Sequence, residues 1–564
     1  MRLGLTLLAL GWVLALGGGW AAHLVQTSGG MEVRDVRFPA GDGVQLSGLL
    51  YVPTDATADR PAPAVLLSHG YINTREMQSA FAIELARRGF VVLAMDMSGH
   101  GYSEGTVGAH AFGGPAAFAY LSGLPMVDRG NIGLAGHSLG GAPLLFAAKA
   151  NPDGYRSMVL VGSTPGIFGA PEGEGRSFPR NLAVVFGQYD EFPDLMWQVP
   201  TGGGIVNSAR LQALFETGGP VQPGRVYGDI AAGDARWLQV PPITHPWEHF
   251  SGSGVGAVVD WLQQTLEGEA RPLPAQNQIW FWKELGTLAG LVGAILLILG
   301  TFQALSHLAR LPAAEPRGER RDRRWWIVFA LTAAVPALTY FPFMALGQLF
   351  AAGPLFPQQV TNQLLAWALL NAMITLGLAL LVRGPTPRFQ HRWLVAPLIA
   401  AASVGMAYGA VLACDALFKT DFRFWVLALK PLDGRQLAYA LAYLGPWTLF
   451  FLVSQRSVAA RISLRGQGAG AEMAAWALAM GLGFVALLAL EYGALFLTGR
   501  LLTPAEPLNT IIAIQFAPLL GLIGVIGAFT YRRSNSYVPG ALICALLITW
   551  YIVGGTATHW APGA

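Results

Sequence analysis

The sequence contains little charge and almost no cysteine. Asp, Glu, Lys and Arg make up only 12% of its 564 residues, whereas a typical soluble domain has about 25%. The two cysteines, Cys414 and Cys544, both lie in long apolar runs, so the rest of the chain folds without disulfides and the redox compartment is not indicated. The net charge is only +3. Because the arginines concentrate in short loops between apolar runs, we expect no nucleic-acid partner.

Long apolar runs are abundant instead, and 53% of the residues are hydrophobic. A helix needs about 20 apolar residues to cross the hydrocarbon core of a bilayer. One such run lies near residues 5–25, and eight more follow at about 285–306, 325–350, 361–382, 393–417, 437–453, 472–497, 509–531 and 537–555. The pattern predicts an all-α polytopic membrane bundle in residues 285–564. Residues 1–30 are predicted to be a transmembrane anchor or a signal peptide, since the small-x-small sequence at residues 19–21 leaves both open.

The arginines predict how these spans are oriented, because short loops rich in Lys and Arg stay in the cytoplasm. With loops assigned alternately to the two sides, one side holds Arg310, Arg317, Arg320, Arg321, Arg323, Arg324, Arg383, Arg388, Arg392, Arg456, Arg461, Arg465, Arg532 and Arg533. The other side holds only Lys419, Arg423, Lys430, Arg435 and Arg500. We therefore expect the first side to be cytoplasmic. The N-terminus is then inside, and both residues 31–268 and the C-terminal tail are outside.

A pentapeptide of the form G-x-S-x-G is the most informative motif, and it reads Gly136-His137-Ser138-Leu139-Gly140. It follows a strand-like run at residues 131–135 and precedes a helix-like run at residues 142–150. A sharp turn from strand to helix leaves no room for side chains on either flank, which accounts for the glycines, and it lifts the serine hydroxyl above the sheet edge. The motif predicts a nucleophilic serine at Ser138.

Two further strand-like runs end in related motifs. Residues 64–68 lead into His69-Gly70-Tyr71, and residues 91–95 lead into a D-x-x-G-H-G-x-S sequence that begins at Asp96. In this order and spacing, the three motifs resemble the α/β-hydrolase fold superfamily of serine esterases, lipases and aminopeptidases. The resemblance covers about residues 31–268. It implies an α/β fold, with helices on both faces of a mostly parallel central sheet.

The superfamily places an acid and then a histidine after the serine. A strand-like run that ends near residue 186 is followed by a G-x-x-D turn, so the resemblance implies Asp190 as the acid, with Glu191 as the alternative. Residues 237–240 resemble the last strand, and two histidines follow it. His245 is the expected base because it lies closer to the strand end, and His249 stays open as the alternative.

The chemistry that this arrangement implies is acyl transfer through an acyl-serine. The histidine would take the Ser138 proton while Asp190 orients the imidazole. The backbone N–H groups of Tyr71 and Leu139 would form the oxyanion hole. No cofactor and no metal are expected, because no carboxylate or cysteine cluster with metal-ligand spacing accompanies the histidines of the sheet-end motifs.

Domain order and chemistry together give three hypotheses. Residues 31–268 are predicted to be an extracytoplasmic domain, joined by a linker at 269–284 to the membrane bundle of a multi-pass cell-membrane protein. The leading hypothesis is a membrane-anchored serine hydrolase that acts on an ester or acyl-bearing small molecule or lipid. An acyltransferase that modifies an envelope lipid or glycan is the second. The third is a transporter or sensor with a ligand-binding hydrolase-like domain, against which the complete set of Ser, Asp and His argues.

Overall fold

The computed structural model describes residues 1–314, 321–381, 395–464 and 466–561. They form two units. The sheet unit consists of Ala22–Glu284, Ala494–Pro507 and the chain from Gly555 onward. The helical unit consists of Met1–Ala21, Leu285–Gly493 and Leu508–Gly554. The sheet unit therefore takes in two short segments from the second half of the sequence, in addition to the region predicted to form the hydrolase fold.

Sixteen α-helices occur in the part of the chain that the structure describes. They are α1 (Arg2–Gln26), α2 (Ser79–Arg87), α3 (Gly114–Gly123), α4 (Gly141–Ala150), α5 (Pro193–Trp197), α6 (Ala209–Phe215), α7 (Gly252–Thr265), α8 (Trp280–Leu308), α9 (Arg323–Leu338), α10 (Tyr340–Gly347), α11 (Gln359–Leu381), α12 (Val395–Phe418), α13 (Gly434–Arg461), α14 (Ala469–Thr498), α15 (Pro507–Ser534) and α16 (Val538–Gly555).

Nine strands form the central sheet of the sheet unit. They are β1 (Met31–Gly41), β2 (Val44–Pro53), β3 (Ala62–Ser68), β4 (Val91–Met95), β5 (Val127–His137), β6 (Ser157–Val161), β7 (Leu182–Val185), β8 (Val226–Tyr227) and β9 (Arg236–Gln239). Their order across the sheet is β1-β2-β4-β3-β5-β6-β7-β9-β8. The six strands from β4 to β9 in this order run parallel, and the pairs β1/β2, β2/β4 and β8/β9 are antiparallel. The predicted mostly parallel sheet is confirmed.

The parallel strands are apolar along their length because helices cover both faces of the sheet. All residues of β4, β6 and β7 are buried. On β5, a Cβ built on Gly133 would meet Leu262 of α7, whereas one built on Gly136 would meet Leu144 of α4. The carboxyl ends of parallel strands meet at one sheet edge, where α/β folds bind their ligands. The motifs that follow β3, β5, β7 and β9 therefore reach the same edge.

The helical unit carries the long apolar helices, together with the short antiparallel strands β10 (Phe422–Phe424) and β11 (Leu427–Leu429). Among the described residues, eight helices are long and apolar enough to cross a membrane, or nine if α9 and α10, bent by 45°, count as one span. Pro336 lies inside α9 near this bend, as expected for a residue that removes a helical hydrogen bond. These helices fall on the nine predicted runs. Arg317, Arg320, Arg383, Arg388, Arg392 and Arg465, which entered the orientation argument, lie outside the described residues.

Small residues bring α1 and α8 into close contact. Gly4, Gly11 and Gly18 recur every seven residues along α1 and face α8. A Cβ built on Gly18 would lie 2.4 Å from the carbonyl oxygen of Gly286, and one on Gly4 would lie 2.9 Å from the backbone nitrogen of Ala304. Such seams of small residues allow membrane helices to pack backbone against backbone. The first apolar helix is thus built into the helical unit.

Candidate active site

The proposed nucleophile lies on a strained turn between β5 and α4. Ser138 has a φ of +56°, a left-handed conformation that residues other than glycine rarely adopt and that is typical of functional turns. A Cβ on Gly136 would lie 2.3 Å from the Gly140 carbonyl oxygen, and one on Gly140 would lie 2.4 Å from the Ser68 carbonyl oxygen. Both flanking positions therefore require glycine. Ser138 is partly exposed, whereas its neighbours are buried.

The predicted acid and base are in direct contact. His245 Nδ1 lies 2.7 Å from Asp190 Oδ2, and Asp190 Oδ1 accepts the backbone N–H of Phe192 at 2.6 Å. Asp190 is fully buried and His245 is 4% exposed, so solvent screens their interaction weakly. Because a carboxylate only accepts, the proton of the neutral imidazole lies on Nδ1. The lone pair on Nε2 is then available as a base.

Glu191, the alternative acid, contacts the backbone of the histidine instead of its ring. Its Oε2 accepts the His245 N–H at 2.7 Å. Burial lowers the pKa of His245, but the charge of Asp190, its hydrogen bond and the charge of Glu191 outweigh burial and raise the pKa above its ordinary value. Both carboxylates therefore favour a proton on the histidine, which is the state that a general base reaches during attack.

The alternative base, His249, contacts His137. It is 2% exposed, and its ring centroid lies 4.6 Å from that of His137. His137 in turn stacks against His245 with centroids 4.6 Å apart, and its Nε2 donates to the His245 carbonyl oxygen at 3.1 Å. His137 thus contacts both histidines and supports the loop that carries His245.

A further buried carboxyl group, Glu248, faces the histidine pair. Its Oε1 accepts the Gly187 N–H at 2.6 Å, and its Oε2 lies 3.7 Å from His245 Nδ1 and 3.4 Å from His137 Nε2. Burial and then the charge of Asp190 raise the pKa of Glu248 well above its ordinary value. These side chains are close enough to share a cation. However, the nitrogen of His245 that faces Glu248 already donates to Asp190.

A tight turn places Tyr71 beside the nucleophile. The Asn73 N–H closes the turn on the Gly70 carbonyl oxygen at 3.1 Å, which leaves the Tyr71 N–H outside the turn's own hydrogen bond. A Cβ on Gly70 would lie 3.2 Å from the Ser138 Cβ, so the turn passes directly over the serine. Leu139, the other predicted oxyanion donor, is the second residue of the helical turn Ser138–Gly140, where an N–H lacks an intrahelical acceptor.

Two histidines of the sheet-end motifs support this turn. His100 Nε2 donates to the Tyr71 carbonyl oxygen at 2.7 Å, and burial lowers the pKa of His100 to about 3. His69 Nδ1 lies 2.8 Å from the Gly70 carbonyl oxygen, and its Nε2 accepts the Met97 N–H at 3.2 Å. Both rings thus contact the backbone of the turns that follow β3 and β4.

Comparison with known proteins identifies the fold of this unit. Residues 63–193 match the family model described as alpha/beta hydrolase fold. A bis(hydroxyethyl) terephthalate hydrolase of Streptomyces coelicolor is 33% identical over 109 residues, which cover 19% of this chain and 34% of that protein. The chain thus spans about a third of the length of this curated relative.

Solved structures of other proteins are similar to part of this chain. A dienelactone hydrolase of Anabaena variabilis is 19% identical, with 42% of this chain and 99% of that chain covered and a TM-score of 0.30. An esterase of Pyrobaculum calidifontis is 18% identical, with 42% and 82% covered and a TM-score of 0.30. The sheet unit is an α/β-hydrolase domain, carried on one chain with a region of long apolar helices.

Sequence reasoning gave no role to two residues that contact the site. Glu248 lies three residues after His245 on one helical turn, a spacing that brings side chains to the same face and could have indicated the contact. The other is His559, whose ring nitrogen lies 2.6 Å from the Tyr71 hydroxyl across a separation of 488 residues. Nothing in local pattern or spacing indicates a contact over that separation.

Proposed function

We propose that this protein is a membrane-anchored serine hydrolase that cleaves carboxylic esters on the extracytoplasmic side. The observation that carries the proposal is the 2.7 Å contact between His245 Nδ1 and Asp190 Oδ2, formed at the sheet edge to which the strained turn brings Ser138. The curated relative supports the substrate class, since bis(hydroxyethyl) terephthalate is a carboxylic ester.

In the first half of the reaction, Ser138 Oγ attacks the carbonyl carbon and its proton passes to His245 Nε2. The carbonyl electrons move to oxygen, where the N–H groups of Tyr71 and Leu139 stabilise the oxyanion. When the tetrahedral intermediate collapses, the carbon–oxygen bond to the leaving group breaks. The alkoxide takes the proton from His245 and leaves as an alcohol, with the acyl group bound to Ser138.

In the second half, water replaces the alcohol. His245 accepts a proton from the water as its oxygen attacks the acyl carbon, and the oxyanion forms in the same place. Collapse breaks the bond to Ser138 Oγ, which recovers the proton from His245. The products are a carboxylic acid and the free enzyme, and Asp190 remains ionised throughout.

A panel of p-nitrophenyl esters of increasing acyl length, assayed on the full-length protein in detergent, tests this proposal. We expect release of p-nitrophenol and of an equal amount of free acid, with a preferred chain length. Acyl groups recovered on added lipid or glycan in place of free acid would identify an acyltransferase. Binding without turnover of any ester would contradict an enzymatic role.

Replacing Asp190 by asparagine is expected to lower kcat by about ten-thousand-fold, because the amide favours the wrong imidazole tautomer. Loss of the carboxylate charge should also lower the pKa of His245 and shift the rise of kcat/KM to lower pH, since that charge raises the pKa. The matched control is Glu191→Gln, which keeps an acceptor for the His245 N–H. A larger loss of kcat in Glu191→Gln than in Asp190→Asn would show that Glu191, and not Asp190, is the acid.

The contents of the sheet unit support the predicted topology. Ala494–Pro507 and the chain after Gly555 both belong to the unit that contains the proposed active site, so both must lie on its side of the membrane. Between α7 and Ala494–Pro507 the chain passes through α8, α9–α10, α11, α12, α13 and α14. Because both ends of this stretch lie on the same side, the chain must cross the membrane an even number of times between them. The number is six if the bent pair α9–α10 counts as one span. With α1 retained and α15 and α16 added, the chain then has nine spans.

Cysteine accessibility tests the topology. In a background where Cys414 and Cys544 are replaced by serine, a cysteine at Glu267 is expected to react with a membrane-impermeant maleimide in intact cells. A cysteine at Arg321, in the segment between α8 and α9, is expected to react only after permeabilisation. The adjacent residues 315–320 lie outside the described residues. Labelling of Arg321→Cys but not of Glu267→Cys in intact cells would reverse the orientation.

A further inference from the structure

The chain after α16 is bound to the loop that follows β4. The Thr558 N–H donates to the Gly99 carbonyl oxygen at 2.8 Å, and the Val107 N–H donates to the Thr558 carbonyl oxygen at 3.1 Å. Thr558 is buried, and Ala557 beside it is 4% exposed. Thr558 thus uses both its N–H and its carbonyl oxygen to bind this loop. The two hydrogen bonds fix the position of residues 555–561, which we call the tail.

This tail delivers a histidine to the proposed oxyanion turn. His559 Nδ1 lies 3.1 Å from the Ala557 carbonyl oxygen, and since a carbonyl only accepts, Nδ1 carries the proton. Nε2 is therefore an acceptor, and the Tyr71 hydroxyl donates to it at 2.6 Å. The two rings also meet edge to face, with centroids 5.7 Å apart. Burial lowers the pKa of His559, which keeps this acceptor available at neutral pH.

Tyr71 is consequently held at two points. His100 Nε2 binds its carbonyl oxygen at 2.7 Å, and His559 binds its hydroxyl. The turn that begins at Gly70 lies against Ser138, as a Cβ on Gly70 would approach the Ser138 Cβ to 3.2 Å. A shift of the tyrosine side chain would therefore move the Tyr71 backbone N–H, the proposed oxyanion donor.

We infer that His559 is a positioning residue for the oxyanion hole, so that the C-terminal tail completes the active site. The inference rests on the proposed function, because it concerns the same Tyr71 N–H. The hydrogen bond from the partly buried Tyr71 hydroxyl to the neutral His559 imidazole orients the tyrosine. The tyrosine in turn orients its own backbone N–H, which stabilises the oxyanion in the transition state. The last residues of the chain thus control a group near its beginning.

The size of the expected effect follows from what the oxyanion donor contributes. Loss of one such donor costs about a hundred- to a thousand-fold in kcat, and misplacement by about 1 Å can cost about a hundred-fold. Loss of a positioning contact should cost less than loss of the donor. We expect His559→Ala to lower kcat by about ten-fold, with KM nearly unchanged because the ground-state carbonyl binds the donor weakly.

The test compares five full-length variants by kcat and KM for a p-nitrophenyl ester and by the rate of fluorophosphonate labelling. His559→Gln, whose amide oxygen can accept from the Tyr71 hydroxyl, is expected to recover most of the activity that His559→Ala loses. Tyr71→Phe should match His559→Ala, and the double variant should be no slower than either, since both changes break one hydrogen bond. His307→Ala, at an exposed histidine, is the matched control.

Each outcome has one meaning. Unchanged kcat in His559→Ala, equal losses in His559→Ala and His559→Gln, or additive losses in the double variant would overturn the positioning role, while labelling of the wild type would leave the proposed function intact. A wild type that is not labelled and hydrolyses no ester would overturn the proposed function, and the positioning role with it. A melting temperature measured for every variant separates a slower enzyme from a misfolded one.

Discussion

Replacing Ser138 by alanine is expected to reduce ester hydrolysis by about a million-fold, the loss found when the nucleophile of a serine protease triad is removed. The variant keeps the two N–H groups of the oxyanion hole, so catalysis of about a thousand-fold over water should remain. Alanine has the same Cβ as serine and meets the same strain at a φ of +56°. The melting temperature should therefore change little while fluorophosphonate labelling disappears.

Ser163→Ala provides the matched control for this prediction. The Ser163 hydroxyl donates to the Ser138 carbonyl oxygen at 2.7 Å, so the change removes a serine that contacts the turn of Ser138 without removing the nucleophile. We expect it to retain labelling and much of the activity. If Ser138→Ala hydrolysed esters at the wild-type rate, the nucleophile would have to be another residue.

Replacing His245 by alanine is expected to cause a loss of similar size, again about a million-fold in kcat, because serine and histidine act as a unit. Without the imidazole nothing accepts the Ser138 proton, and the buried Asp190 loses its partner at 2.7 Å. His249→Ala is the matched control. It removes an equally buried imidazole four residues later and should retain a substantial fraction of the activity.

The pH dependence distinguishes the two histidines. The base must be neutral to accept a proton, so kcat/KM should fall as the pH drops through the pKa of His245. That pKa is raised above its ordinary value of 6.5, so we expect the fall to begin above this pH in the wild type and in His249→Ala alike. If the pH dependence of kcat/KM shifted in His249→Ala, and His245→Ala kept full activity, the base would be His249.

The sequence predicts the fold and most of the site because each motif is local. A G-x-S-x-G turn needs glycine for steric reasons that are visible within five residues, and the parallel topology brings the ends of β3, β5, β7 and β9 to one edge whatever their exact register. The membrane-type helices are predicted equally well, since length and composition alone define them.

The remaining features depend on packing between distant segments. The raised pKa of Glu248 beside His245 follows from burial and from the nearby charge of Asp190, neither of which a sequence pattern reports. The contact of His559 with Tyr71 requires the tail to return to the sheet unit after the last apolar helix. The antiparallel pair β1/β2 at the sheet edge likewise needed the structure, because no chemical motif marks it.

The most direct test of the account is to identify the residue modified by a fluorophosphonate in the full-length wild-type protein, by mass spectrometry of its peptides. We predict one adduct, on Ser138, which forms at the same rate as ester hydrolysis is lost. An adduct on a different residue, or complete loss of hydrolysis with Ser138 unmodified, would contradict it.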